Sequence, residues 1–175
     1  VGAVVGSEGT LGVVTEATVR LLRTPQAVQT VLAAFRTIEA AGDAVSAIIA
    51  AGVLPAAIEL MDALAIEAAE AAVHPGYPTG AGAVLIIELD GPRCEVETQR
   101  HEVERLCHGA GAFDVRVASG SAERDLIWKG RKSAFAAVGR ISPDYIVQDG
   151  VIPRTALAEV LQAIEEVAEA AGLRV

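Results

Sequence analysis

Residues 13–22 alternate in character, with Val13, Thr15, Ala17, Val19 and Leu21 on one side and Glu16, Thr18 and Arg20 on the other. A period of two predicts a half-buried strand there. Pro25 ends that run, and Val28, Val31, Leu32 and Phe35 predict a second strand. The pattern then changes to the helical period at Ile38, Ala41, Val45, Ile48 and Ile49, with Gly52 where a helix C-terminus is expected. A short strand around residues 58–61 precedes the alanine-rich stretch 63–73, a helix by propensity. Residues 74–82 carry Pro75, Gly76, Pro78, Gly80 and Gly82 and read as a loop.

The second half repeats this rhythm. Residues 83–89 form a nearly unbroken apolar run, as in a central strand, and Asp90-Gly91-Pro92 closes it. Val96, Val103, Leu106 and Cys107 mark one face of a helix that Gly109 and Gly111 end, and Phe113, Val115 and Val117 alternate as another strand. Residues 27–118 thus read strand, helix, strand, extra helix, strand, helix, strand. That order predicts an α+β fold, a ferredoxin-like sandwich with a mostly antiparallel sheet and helices on one face. Beyond it Ser121 is a candidate N-cap of a helix running to Gly139, residues 145–147 read as extended, and Leu157, Leu161, Ile164 and Val167 place an amphipathic helix after Pro153. Its acidic side, with Glu159, Glu165, Glu166 and Glu169, reads as a solvated face.

Composition narrows the functional classes. The 175 residues hold 14 Lys+Arg against 23 Asp+Glu, a net charge of −9, and are 52% hydrophobic but only 3% aromatic. The core must therefore be aliphatic, and intrinsic disorder is disfavoured. An acidic chain with no long basic run does not suit a nucleic-acid partner. The uncharged stretch between Asp43 and Glu59 is interrupted by Gly52 and Pro55 and is shorter than the roughly 18–20 residues of a membrane span, so none is expected. Cys94 and Cys107 are too few for a disulfide framework, which makes a reducing, cytoplasmic setting the default. Residue 1 is Val, the one methionine is Met61, and the first dozen residues are already a dense glycine motif, so the chain reads as a fragment.

Two segments are candidates for chemistry. In Gly6-Ser7-Glu8-Gly9-Thr10-Leu11-Gly12 the glycines recur every third position, which is neither a dinucleotide-binding fingerprint nor a phosphate-binding loop with its lysine. It is either a plain tight turn or a place where bare backbone approaches a cofactor. The second is Trp128-Lys129-Gly130-Arg131-Lys132 and the residues after it, because residues 129–140 hold four cations and no anion in an acidic chain. On a helix Trp128, Arg131 and Phe135 share a face, aiming an arginine with two rings at whatever that face meets. Such an arginine needs a carboxylate, either a ligand's or a protein side chain such as Asp144 or Asp149. His101 and His108 are seven apart beside Cys107, not the i, i+4 spacing of a helical metal pair, and no metal is expected. His74, next to Pro75, reads as a surface residue, and Asp149 before Gly150 as a turn residue or ion-pair partner.

The segment Gly6-Ser7-Glu8-Gly9-Thr10-Leu11-Gly12-Val13-Val14-Thr15 resembles the closing motif of the FAD-binding domain in flavoproteins of the vanillyl-alcohol-oxidase type. Glu59-Leu60-Met61-Asp62, Trp128-Lys129-Gly130-Arg131-Lys132, Gly139-Arg140-Ile141-Ser142-Pro143-Asp144-Tyr145 and Asp149-Gly150-Val151-Ile152-Pro153-Arg154 resemble, in order, the bacterial glycolate oxidase D-subunit family. The resemblance implies that residues 1–22 are the C-terminal tail of an FAD-binding domain. Residues 23–175 would be the first, incomplete part of the substrate-binding cap, the C-terminal domain of FAD-linked oxidases.

The family's chemistry, as the resemblance implies it, is oxidation of a D-2-hydroxy acid with hydride passing from the α-carbon to flavin N5. Ser7, Glu8, Gly9, Thr10, Gly12, Val13 and Val14 would lie against FAD, Arg131 would grip the substrate carboxylate, and Trp128 would stand beside it. Relatives acting on 2-hydroxyglutarate carry a Thr and a Lys where this chain has Phe135 and Val147. A small monocarboxylate, glycolate or D-lactate, is therefore the expected substrate. The family's catalytic and metal-binding histidines follow the last helix, so no catalytic residue, no bound FAD and no activity are expected of these 175 residues alone. The implied partners are other glycolate oxidase subunits, among them an iron–sulfur subunit, which would allow membrane association without a span, and the exposed cap surface would permit homo-oligomers. A non-catalytic ferredoxin-like module that binds anions or mediates assembly is the alternative, since fold alone does not fix function.

Overall fold

The computed structural model describes residues 1–175, apart from the side chain of Arg154. Its centre is a four-stranded sheet of β1 (Ala27–Phe35), β2 (Ala57–Asp62), β3 (Ala83–Gly91) and β4 (Asp114–Val117). The order across the sheet is β2-β3-β1-β4, and all neighbours run antiparallel. Between and after the strands lie α1 (Ile38–Ala50), α2 (Ala63–Val73), α3 (Arg93–Gly109), α4 (Ser121–Val138) and, after a short 3-10 turn, α5 (Leu157–Ala170). This is the ferredoxin-like order with α2 inserted between β2 and β3, and the α+β, antiparallel expectation holds.

The helices do not lie on one face, as the sequence reading placed them. Val31, Ala33, Phe35, Leu85, Ile87 and Leu89 pack against α1 and α3, whereas Leu32, Ala34, Met61, Val84 and Ile86 pack against α2 and α4. The reason lies in the two central strands. Every residue of 31–35 and of 83–87 is buried, so both parities of side chain need apolar cover. An antiparallel sheet with one wet face would have alternated instead.

Local signals set most boundaries. Thr37 Oγ1 accepts from the Ala40 N–H at the start of α1, and Asp62 Oδ1 accepts from the Ala65 N–H at 2.7 Å at the start of α2. At the end of α1, Gly52 takes φ +80° while its N–H and that of Val53 donate to Ile49 and Ile48, a left-handed stop that glycine adopts at no steric cost. Bare backbone also sets a helix contact, since a Cβ at Gly42 of α1 would stand 3.0 Å from the Ala158 Cβ of α5.

Two local expectations are overturned. Residues 13–22 form no strand, and Val13 and Leu21 are 88% and 85% exposed. A strand needs a neighbour for its N–H and C=O groups, and none of the four strands pairs with this segment. Ser121 is the first residue of α4 rather than its cap; instead Glu123 Oε2 accepts from the Ser119 N–H at 2.8 Å and the Ser119 hydroxyl at 2.7 Å. Residues 145–147 enter no sheet ladder, and Tyr145 turns its ring to Phe135.

Candidate functional site

The face of the sheet under α4 carries two glutamates. Even-numbered residues of β3 point to that face, so Glu88 follows Val84 and Ile86 there, and the pairings of Ala57 with Glu88 and of Glu59 with Ile86 put Glu59 on the same side of β2. From above, α4 presents Arg124, Trp128 and Arg131 at i, i+4 and i+7, one stripe of a helix. Each glutamate receives one arginine.

The two pairs are built differently. Glu88 is clamped: Arg124 Nε donates to Oε2 at 2.9 Å and Nη2 to Oε1 at 3.0 Å, Trp128 Nε1 donates to Oε2 at 2.8 Å, and the Thr30 hydroxyl adds a bond at 3.2 Å. The Glu88 side chain is 16% exposed. Burial works to raise its carboxyl pKa, but the arginine, indole and hydroxyl donors outweigh it and hold the group below the ordinary carboxylate value. Arg124 is raised in turn by its bond to Glu88. Glu59 uses a single oxygen, with Oε2 accepting from Nε of Arg131 at 3.0 Å and standing 3.0 Å from its Nη2. Those side chains are 36% and 39% exposed, and among the described residues Arg131 Nη1 donates to nothing.

Beside the clamped pair an open cleft of about 510 Å³ is lined by Ala57, Glu88, Arg124, Trp128, Lys129 and Lys132, among others. The loop 74–82 supports α4 from the other side. The Tyr77 hydroxyl donates to the Ile127 carbonyl at 2.7 Å, the Tyr77 N–H donates to Glu70 Oε1 at 2.6 Å, and burial raises the phenol's pKa above its ordinary value. Gly130, one residue before Arg131, makes this approach possible, because a Cβ there would overlap the Tyr77 hydroxyl and stand 2.7 Å from the Pro75 side chain.

Several expectations are relocated. Arg131 meets a protein carboxylate, but that carboxylate is Glu59; Asp144 and Asp149 are exposed. Trp128, Arg131 and Phe135 do not act as one face, since Trp128 donates to Glu88 while Phe135 is 59% exposed and packs edge-on against Tyr145 at 5.7 Å. Of the glycine-rich segment, Ser7 is half-buried and Glu8, Gly9, Thr10, Gly12, Val13 and Val14 are exposed, in turns where Gly6, Gly9 and even Glu8 take positive φ. Among the described residues no hydrogen bond joins this segment to α4.

The histidines are not gathered. His101 lies 3.7 Å from Glu104 on α3, His108 is exposed, and Cys107 is buried with its thiol pushed up to about 12 by burial and then by Glu104. Among the described residues no three His, Cys, Asp or Glu side chains come together as a metal site. The sequence reading missed Thr30, Glu88 and Arg124. The signal was present: a charge ending the apolar run 83–89 is costly inside a sheet and implies a partner.

The chain was compared with known proteins. Residues 24–175 match the family model described as FAD linked oxidases, C-terminal domain. Glycolate oxidase subunit GlcD of Escherichia coli K12 is 51% identical over 170 residues, covering 97% of this chain and 34% of that protein. The GlcD subunit of Bacillus subtilis is 40% identical over 164 residues, 94% of this chain and 35% of the relative, and the mitochondrial D-lactate dehydrogenase [cytochrome] of Arabidopsis thaliana is 28% identical over 172 residues. The chain thus spans about a third of the length of the curated relatives it matches. Among solved structures, an alkyldihydroxyacetonephosphate synthase superposes with a TM-score of 0.57 at 24% identity over 78% of this chain and 28% of its own, a likeness of fold.

Proposed function

Because the chain belongs to the family of FAD-linked oxidase C-terminal domains, we propose that it is the substrate-binding part of an FAD-dependent D-2-hydroxy-acid dehydrogenase of the glycolate oxidase type. The observation that carries this reading is the Arg131 guanidinium, bonded to Glu59 through Nε with Nη2 beside the same oxygen, its Nη1 meeting no acceptor among the described residues and its side chain 39% exposed. A carboxylate is the natural guest of such an edge, since two parallel N–H donors match its two oxygens. Trp128 flanks the site one turn away and is held still by its bond to Glu88. Ion-pairing the substrate carboxylate fixes where the adjacent α-carbon stands, and that orientation is the chain's contribution to rate.

The glycine-rich segment fits a cofactor. Gly6, Gly9 and Gly12 have open space where a Cβ would be, and the backbone N–H groups of Glu8, Gly9, Val13 and Val14 donate to no backbone acceptor among the described residues. In this reading residues 1–22 close the FAD-binding domain and residues 23–175 begin the cap, so the unpaired alternation of 13–22 finds its neighbour in the flavin domain. FAD, when bound, supplies the acceptor for the hydride that leaves the α-carbon.

The substrate is a small monocarboxylate, glycolate or D-lactate. Phe135 and Val147 offer no donor to a second carboxylate, and both are turned to solvent. The partners are other subunits of a glycolate oxidase, one of them carrying iron–sulfur clusters. That reading is supported by the names of the bacterial relatives, which are subunits, and by apolar side chains left uncovered on α5, among them Ile164 and Val167. No helix is long and apolar enough to cross a membrane. A cytoplasmic setting, with any membrane contact made through partners, follows as part of the proposal.

The test is anaerobic reduction of the flavin in the complete protein. Glycolate or D-lactate should bleach the flavin absorbance at a concentration at which D-2-hydroxyglutarate does not. Bleaching by the dicarboxylate alone, or by none of the three, overturns the assignment.

A further inference from the structure

We propose that Glu59 is the positioning residue for Arg131, a role that rests on the reading of Arg131 as the carboxylate-binding group. An arginine side chain has four rotatable bonds and, left alone on a half-exposed face, spreads its guanidinium over many orientations. Glu59 removes that freedom. Its Oε2 accepts from Nε at 3.0 Å and stands 3.0 Å from Nη2, which fixes the plane of the guanidinium and the side it turns to the sheet. Of the five N–H groups, the one on Nε is spent this way and one on Nη2 faces the same oxygen. One N–H of Nη1 and the outer N–H of Nη2 form the edge that a second carboxylate takes bidentately.

Glu59 is itself well placed to act as a fixed post. It lies on β2 opposite Ile86 of β3, between Ile58 and Leu60, which both pack toward the α1 and α3 core, and two residues before Met61, which is buried on the opposite face of the sheet. The strand backbone is thus anchored on both sides while the carboxylate stays half-exposed. A pair this exposed contributes little to folding. The arrangement instead prepares one edge of one arginine before substrate arrives, which lowers the ordering cost of binding.

The experiment compares Glu59→Ala, Glu59→Gln and Arg131→Ala in the complete flavoprotein, with flavin content and melting temperature recorded for each. Glu59→Ala should raise KM for the 2-hydroxy acid by about tenfold with a much smaller change in kcat, the pattern of lost ground-state and transition-state binding in equal measure. Glu59→Gln, whose amide oxygen still accepts from Nε, should recover most of the loss. If Arg131→Ala raises KM while Glu59→Ala leaves it unchanged, Glu59 does not position Arg131 and this inference falls although the assignment of Arg131 stands. An Arg131→Ala protein with unaltered KM removes the assignment itself. A Glu59→Ala protein that melts lower with KM unchanged shows a structural pair and also overturns the inference.

Discussion

Two arginines on the same stripe of α4, seven residues apart, reach glutamates on neighbouring strands of the same sheet face, and the similarity ends there. Arg124 engages both oxygens of Glu88, and Trp128 and Thr30 bring the carboxylate to four donors. Arg131 bonds one oxygen of Glu59, and among the described residues its Nη1 meets no acceptor. The first arrangement is what a buried charge needs in order to be tolerated. The second is what a charge needs in order to be used. Residue type is identical in both and the arginine side chains are about equally exposed, at 35% and 39%, so the difference lies in the glutamates, in how many donors each accepts and how far each is withdrawn from water.

The widest disturbance of this comparison comes from removing the platform the two arginines share. Gly130→Ala places a Cβ against the Tyr77 hydroxyl and 2.7 Å from Pro75, which forces α4 and the loop 74–82 apart. A loss of about 3 kcal/mol is expected in urea unfolding, the upper range for overpacking, and both pairs should loosen together. Arg124→Ala should cost about 2 kcal/mol, because it leaves the Glu88 carboxylate largely withdrawn from water and short of two charge-assisted bonds. By contrast Arg131→Ala should change folding stability by less than about 1 kcal/mol, as for other exposed pairs. Equal losses for the two arginines would erase the distinction.

The glutamates sharpen it through pH. The folded Glu88 carboxyl titrates below its ordinary value, so between the folded and unfolded pKa values the unfolded chain binds more protons than the folded one. Its contribution is therefore complete above the unfolded pKa of roughly 4.3 and is lost as pH falls through the folded pKa. Melting curves from pH 3 to 7 should show that Glu88→Gln flattens the acid limb of stability. An unchanged acid limb would mean that the clamp holds no ionised carboxylate. The smallest effect belongs to Phe135→Ala, which deletes an exposed edge-on contact with Tyr145; a shift of no more than about 0.5 kcal/mol is expected.

Much of this architecture was legible in the chain, for identifiable reasons. Apolar patterning located all four strands of the sheet, patterning and alanine propensity located the helices between them, and Gly52, Gly109 and Gly111 marked the ends of α1 and α3. The two-sided cover is also written in residues 31–35 and 83–87, where apolar character continues through both parities, a feature that the order of elements alone does not carry. Residues 13–22 show the limit of the same method. Alternation reports which sides of a segment differ, but a strand also needs a partner, and no pattern within the segment says where that partner is. The pairing of Arg131 with Glu59 was out of reach for a similar reason, since it joins residues 72 apart through strand register and the crossing of a helix over the sheet. The resemblance pointed to Arg131 and named the Glu59 motif, but only the geometry brings the two together.

On the proposed function, Arg131 is the arginine kept for the substrate and Arg124 the one kept for the fold. The most direct measurement is KM for glycolate and D-lactate in Arg131→Ala and Arg124→Ala forms of the complete flavoprotein, each assayed at a temperature where its flavin content matches the parent. Loss of one charge-assisted carboxylate pair should raise KM about a hundredfold in Arg131→Ala and leave it within about threefold in Arg124→Ala. A KM unaltered in Arg131→Ala, or raised as much in Arg124→Ala, would contradict the account.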